Sequence, residues 1–146
     1  MHLESDLWLP RPREEIFRFF SDAANLGALT PPHMRFRTFT AAPIVMRAGL
    51  LVDYGIRVHG IPIRWRSEIT TWDPPNRFVD EQRSGPYRRW VHTHTFADER
   101  GGTRLGDVVE FEMFGGSLIG WFVMRDLRSI FEFRRQALAS LFNGSG

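Results

Sequence analysis

Between His33 and Met113 the chain is written almost entirely in short extended segments with turn residues between them, and only after that does it carry one long proline-free stretch, Ser117 to Phe142. The segments are Phe36 to Ala41, Leu50 to Val58, Ile61 to Trp72, Arg77 to Arg83, Tyr87 to Phe96 and Thr103 to Met113. Their separators are turn-like: Ala48-Gly49, His59-Gly60, Asp73-Pro74-Pro75-Asn76, Ser84-Gly85-Pro86 and Asp98 to Gly102. Such short connections permit only antiparallel neighbours, because a parallel pair needs a crossover helix, and none is visible.

The C-terminal stretch repeats Met124, Leu127, Phe131, Arg134, Leu138 and Leu141 at spacings of three and four. That is an amphipathic helix of about seven turns. A sheet with one apolar face cannot leave that face in water, and this helix is the only element long enough to cover it.

Ahead of the meander, Leu3, Leu7, Trp8 and Leu9 predict a first strand, ended by Pro10-Arg11-Pro12. Glu14 and Glu15 suit a helix N-terminus, and Ile16, Phe17, Phe20 and Ala24 recur at helical spacing until Asn25, Gly27 and Thr30-Pro31-Pro32 break the pattern. The expected fold class is therefore α+β: a curved antiparallel sheet of about seven strands wrapped around a long C-terminal helix, with two short helices after the first strand. A length of 146 residues fits a single domain, 1–146. Asn143-Gly144-Ser145-Gly146 reads as a helix stop and a loose tail.

Composition narrows the function classes. Thirteen Phe and five Trp are more bulky aromatic than a core of this size requires, which suggests an aromatic-lined cavity between sheet and helix. The isoelectric point of about 9.9 accompanies a net charge of only +2, and all nineteen basic residues are Arg. With no Lys or Cys to titrate, a small excess of Arg carries the isoelectric point high. The Arg residues alternate with acidic and apolar ones instead of clustering, so no nucleic-acid partner is expected. The absence of cysteine excludes disulfides, thiolate nucleophiles and Cys-ligated zinc.

Met1 to Pro10 carries Glu4 and Asp6 and lacks the basic and apolar regions of a signal peptide, which leads to the expectation of a cytoplasmic location. The longest apolar-rich stretch, Gly115 to Val123, is far short of the roughly 20 residues that span a bilayer, so stable membrane insertion is not expected.

The chemistry-bearing residues sit on the strands. Residues two apart share a face, so Trp90, His92, His94 and Phe96 point one way. On the next strand Leu105, Asp107, Val109 and Phe111 share a face on which Asp107 is the one charge. If the turn Ala97 to Gly102 pairs Phe96 with Thr103, then His94 faces Leu105, His92 faces Asp107 and Trp90 faces Val109. A core-facing carboxylate needs a partner, and the candidates are His92 or a helix arginine, Arg128 or Arg134. Phe78, Asp80 and Gln82 share another face, as do Ile61, Ile63, Trp65, Ser67 and Ile69, and in each case the aromatic-bearing face is expected to look inward.

The order of elements and several local strings carry a resemblance. Leu29-Thr30-Pro31-Pro32 follows the first helices; Gly85-Pro86-Tyr87 precedes Trp90, His92, His94 and Phe96; Gly102-Thr103 is followed by Asp107; and Ile130-Phe131 leads to Arg134. Together they resemble the helix-grip superfamily that includes START lipid-transfer domains, aromatic polyketide cyclases, coenzyme Q-binding proteins and the major birch pollen allergen. They are most similar to a bacterial branch described as SRPBCC or polyketide cyclase/dehydrase-like, sometimes fused to an NAD(P)-dependent epimerase domain. The resemblance implies the helix-grip fold, whereas function varies across the superfamily and must be argued from residues.

The leading expectation is binding, with carriage as an extension of it, of a small hydrophobic or aromatic molecule such as a lipid, quinone or polyketide. Its candidate contacts are Trp65, Phe78, Gln82, Trp90, His92, His94, Val109, Phe111, Met124 and Phe131. The alternative is a cyclase or dehydratase without a cofactor, with His92 as acid or base tuned by Asp107; no nucleophile or oxyanion motif accompanies the pair. His92 and His94 with Asp107 also offer donors that suit zinc or iron(II), but two His two apart on a strand are a thin signal, and neither metal nor cofactor is expected. An interaction module would use Trp121-Phe122 or Met34 to Phe36, residues expected instead to pack in the core or over the cavity mouth. Gly115-Gly116-Ser117-Leu118-Ile119-Gly120 resembles a phosphate loop without its spacing or its Lys, and reads as the flexible start of the last helix.

Overall fold

The computed structural model describes residues 1–143. Seven strands form one antiparallel sheet: β1 (His2–Leu9), β2 (Arg37–Thr38), β3 (Leu51–Val58), β4 (Ile61–Asp73), β5 (Arg77–Ser84), β6 (Arg89–Glu99) and β7 (Gly102–Glu112). Their spatial order is β1-β7-β6-β5-β4-β3-β2, so five consecutive hairpins make the meander and β1 returns to pair with β7. Helix α1 (Arg13–Phe20) and two 3-10 turns, Ala23–Leu29 and Pro32–Met34, link β1 to β2. Helix α2 spans Ser117–Phe142, the bounds that the sequence pattern predicts.

The expected face of α2 is met as far as Leu138. Leu127, Phe131, Arg134 and Leu138 are buried, but the next buried residue is Phe142, and Leu141 is exposed. A helical turn of 3.6 residues carries position 142, not 141, back over the sheet. Among the described residues no helix is long and apolar enough to cross a membrane.

Two other expectations are corrected. The segment Phe36 to Ala41 contributes only the two-residue β2, paired with Tyr54 and Gly55. Beyond it Thr40 substitutes for a ladder partner, its side-chain oxygen accepting the Asp53 N–H at 2.8 Å. Ile61, expected to look inward with Trp65, Ser67 and Ile69, is 64% exposed at the tip of the β3–β4 hairpin, where the twisting ribbon has left the core.

A further correction concerns the β6–β7 register. Phe96 lies opposite Leu105, His94 opposite Asp107, His92 opposite Val109 and Trp90 opposite Phe111. The polar run Ala97-Asp98-Glu99 is strand, and the turn is only Arg100-Gly101, both with positive φ (51° and 73°). Two such residues close a tight hairpin whose twist matches its strands, which shortens the loop and moves the register by two.

Two apolar clusters fill the space under α2. One gathers Ile16, Phe17, Phe20, Phe78, Phe96 and Leu138; the other gathers Trp65, Trp90, Val109, Phe111, Leu127 and Phe131. Irregular pairing in β4, between Arg66 and Ser67 and between Ile69 and Thr71, bends the sheet around the helix. β5 and β6 pair only from Arg77–Thr95 to Glu81–Val91 and then separate. That gap, bridged by the loop through Pro86, opens the space beneath the helix at one end.

Candidate functional site

A layer of buried polar side chains lies between the two apolar clusters. His92, His94, Asp107 and Arg134 are each less than a tenth exposed, and Asp80 projects into the same layer from β5. Strand alternation places them: Asp80 is cross-strand from His92, and His94 is cross-strand from Asp107. Arg134 descends from the buried stripe of α2.

The contacts form a closed set. His92 Nε2 is 2.7 Å from Asp107 Oδ1, and Arg134 Nη2 donates to the same oxygen at 3.2 Å. His94 Nε2 is 2.7 Å from Asp80 Oδ2, and His94 Nδ1 is 3.3 Å from Arg134 Nη2. The two imidazoles stack at 3.7 Å between centroids, and Phe78 stacks on the other face of His94 at 3.9 Å.

These distances assign the ring protons. A guanidinium only donates, so His94 Nδ1 accepts from Arg134 and its Nε2–H donates to Asp80. An ionised Asp107 only accepts, so His92 donates through Nε2. The second nitrogen of His92, Nδ1, lies 3.9 Å from Asp80 Oδ2, too far for a hydrogen bond.

Burial alone would push Asp107 up, but the charge of Arg134 and the His92 hydrogen bond overcome it and hold the carboxyl well below its ordinary value. Asp80 has no such dominant partner; burial raises it, against the smaller opposing pull of His92 and Arg134. Burial drives His94 well below the ordinary imidazole value, and the neighbouring His92 and Arg134 add to that. The two carboxylates thus sit in contrasting environments a few ångströms apart.

Two chambers meet at this layer. One of about 200 Å³ is walled by Phe36, Tyr54, Ile56, Trp65, Trp90, Leu127 and Phe131, with Tyr87, Val58 and Asp126 toward the separated ends of β5 and β6. A smaller one of about 70 Å³ lies on the α1 side, among Phe19, Phe20, Met46, Ile69 and Phe78. Asp80, His94 and Arg134 border both chambers. Two donors in these walls, Trp65 Nε1 and Arg134 Nε, are buried and have no hydrogen-bond partner among the described residues.

Of the residues singled out from sequence, Trp65, Trp90, His92, His94 and Phe131 line the larger chamber, and Phe78 lines the smaller. Four candidate contacts are placed elsewhere. Gln82 braces the β5–β6 loop through both the N–H and the carbonyl of Tyr87, at 3.0 and 2.7 Å. Val109 and Phe111 lie in the cluster beneath α2, and Met124 faces a shallow surface groove with Met1 and Trp121. Asp107 stands behind His92 and His94, and of its two candidate arginines Arg134 reaches it, whereas Arg128 is exposed.

Asp80, Tyr54 and Leu29 also line the larger chamber and were not among the candidate contacts. The face shared by Phe78, Asp80 and Gln82 was the signal for Asp80. Trp121 and Phe122 are 56% and 52% exposed, so they neither pack in the core nor cover the mouth.

A family profile described as "Polyketide cyclase / dehydrase and lipid transport" matches residues 9–138. A search of curated proteins returns no match. Among solved structures, a Chromobacterium violaceum protein superposes with a TM-score of 0.78 at 18% identity, covering 99% of both chains. A Thermus thermophilus protein gives 0.73 at 21% identity, covering 96% of this chain and 95% of that one. A third similarity lies within a nucleoside-diphosphate sugar epimerase from Corynebacterium glutamicum, with a TM-score of 0.64 at 22% identity, covering 94% of this chain and 28% of the epimerase. These neighbours have the helix-grip fold, and the extent of the profile match, nearly end to end, makes this chain a member of the polyketide cyclase/dehydrase and lipid transport family.

Proposed function

We propose that the protein binds a compact, mostly apolar molecule bearing a hydrogen-bond acceptor, which enters between the ends of β5 and β6 and points its acceptor at the polar layer. The observation that carries this reading is the pair of donors, Trp65 Nε1 and Arg134 Nε, that have no partner among the described residues in a mostly apolar wall. A buried donor left unpaired costs about 1–3 kcal/mol, which an incoming carbonyl or quinone oxygen would recover. Apolar walls supply affinity and a few polar groups supply orientation, the usual division in small-molecule sites.

Size supports a ligand of one or two rings. An apolar cavity of about 150 Å³ suffices for benzene, and the larger chamber is about 200 Å³. Calorimetric titration with 1,4-naphthoquinone and with naphthalene tests the reading. At least tenfold tighter binding of the quinone is expected, and equal affinity, or no binding of either, overturns it. The chain has neither Cys nor Lys, so side-chain adducts of the quinone with thiols or lysine amines do not complicate the measurement.

One observation favours a second reading, in which the bound molecule also reacts. His92 is held by Asp107 through Nε2, which leaves Nδ1 without a hydrogen-bond partner in a residue that lines the cavity. That is the arrangement of a base able to remove a proton next to a carbonyl during cyclisation or dehydration. Under this reading His92→Gln abolishes turnover of a reactive polyketide-like substrate while leaving quinone affinity within threefold; loss of both together counts against it.

A further inference from the structure

The sequence suggested Asp107 as the carboxylate closest in role to the two imidazoles, but the structure sets a different carboxylate in front of them. Asp80, His92 and His94 each bring one donor atom within 4.8 Å of the others. Asp80 Oδ2 lies 2.7 Å from His94 Nε2 and 3.9 Å from His92 Nδ1. An ion bound at about 2.0–2.1 Å to each donor needs them roughly 3.4 Å apart in tetrahedral geometry. The adjustment is on the order of an ångström, within the range of small side-chain rotations.

Asp107 stands on the far side of both rings. It is 2.7 Å from His92 Nε2 and 3.4 Å from His94 Nδ1, so one buried carboxylate can hold both imidazoles by the nitrogens that face away from Asp80. A carboxylate behind each ligating imidazole is the support that fixes ring orientation in metal sites. His92 and His94 stack with their planes 24° apart, so the same rotations tilt the rings until their lone pairs converge on one ion.

Charge points the same way. The layer holds two carboxylates and a single guanidinium, and Arg134 is engaged with Asp107, leaving Asp80 without a permanent cationic contact. The other close His–carboxylate contacts, His59 with Asp126 and His2 with Glu4, are exposed surface pairs, and among the described residues only the Asp80 group offers three donors.

We propose that Asp80, His92 and His94 form a site for one divalent transition-metal ion of the kind that imidazole and carboxylate favour, zinc being the type case, with a coordination position open to the larger chamber. The ion takes His92 Nδ1, Asp80 Oδ2 and His94 Nε2; the His94 ring proton then resides on Nδ1 and turns to Asp107, now 3.4 Å away, and the hydrogen bond that Nδ1 accepts from Arg134 is given up. Arg134 remains on Asp107, behind the imidazoles. Two imidazoles, one carboxylate and an open position constitute the donor set of catalytic, not structural, sites. Occupation of His92 Nδ1 by an ion excludes its use as a base. The proposal does not depend on the organic ligand, whose test compares 1,4-naphthoquinone with naphthalene.

The experiment uses protein stripped with a chelator and titrated with Co²⁺ and Zn²⁺. Expected are one equivalent of Co²⁺ with visible d–d absorption, its displacement by one equivalent of Zn²⁺, and imidazole ¹⁵N shifts at His92 Nδ1 and His94 Nε2. Asp80→Asn and His92→Gln, each checked for folding by circular dichroism, should weaken Zn²⁺ at least 100-fold, while His59→Ala should not. The absence of saturable one-to-one binding by the unaltered chain overturns the site, as does binding that survives both substitutions or disappears with His59→Ala. Should either substitution prevent folding, the imidazole shifts of the unaltered chain decide alone.

Discussion

Asp107 accepts from His92 at 2.7 Å although the ladder sets His94, not His92, directly opposite it. The contact is diagonal: side chains two positions apart on one strand share a face, and a carboxylate on the neighbouring strand can reach both. One oxygen of Asp107 therefore collects His92 and Arg134, with His94 Nδ1 at 3.4 Å. Asp107→Asn keeps an acceptor for His92 but leaves the buried Arg134 without its counter-charge. Breaking a buried ion pair this way costs roughly 3 kcal/mol, which corresponds to a fall in Tm of roughly 10 °C. Adding Arg134→Met should return part of the loss, as the orphaned charge is then gone. A single-variant loss below about 1 kcal/mol in urea denaturation would show that the pair is not held in this way.

Trp65→Phe separates ligand binding from stability. The indole N–H has no partner among the described residues, so removing it abolishes an unpaid desolvation cost even as the smaller ring leaves some space. Stability should change by less than about 1 kcal/mol. Affinity for 1,4-naphthoquinone should fall about tenfold, with naphthalene unaffected, as measured by calorimetry. An equal effect on both compounds would reduce Trp65 to a wall of the cavity.

The fold was legible because its signals are local and repeated. The period-two segments and the Gly- and Pro-bearing turns gave the meander, and a 3-and-4 spacing gave α2 with its bounds. The site was legible only in part. Asp107 stood out as a lone charge among Leu105, Val109 and Phe111, and its partner Arg134 fell on the buried stripe. Asp80 did not stand out, because β5 alternates weakly and Val79, Asp80, Glu81 and Gln82 are all partly exposed. The register error came from reading Ala97-Asp98-Glu99 as loop by polarity, when the backbone of Arg100-Gly101 decides where the hairpin turns. Contacts that depend on which strands separate, such as the opening after Glu81–Val91, leave no mark on single-strand periodicity.

That hairpin offers two opposite substitutions. Arg100 holds φ at 51°, which Asn adopts more easily, so Arg100→Asn should stabilise by about 0.5 kcal/mol. Gly102 begins β7 where a Cβ would collide with the Leu9 carbonyl oxygen and approach the Trp8 ring to 2.8 Å. Backbone cannot yield as a flexible side chain can, so Gly102→Ala should cost about 2 kcal/mol, the scale of overpacking. Amide exchange should quicken first in β1, whose Leu9 pairs with Thr103. Unchanged protection there would mean that the β1–β7 edge tolerates the methyl group.

The alkaline limb of stability is unusually simple to read, because the chain has no Lys or Cys and its two tyrosines are Tyr54 and Tyr87. Burial pushes both phenols up, with the charge of Asp80 adding at Tyr54 and that of Asp126 at Tyr87. In the unfolded chain a phenol titrates near pH 10. Above that value the unfolded state loses protons that the folded state keeps, so stability is complete below about pH 10 and falls as pH rises beyond it. Absorbance at the tyrosinate band should stay flat in the folded protein through this window and rise only with unfolding, and Tyr87→Phe should flatten the decline. Phenolate forming near pH 10 with the near-ultraviolet circular dichroism intact would instead place both hydroxyls in contact with water, and with them the mouth of the cavity that Tyr87 borders.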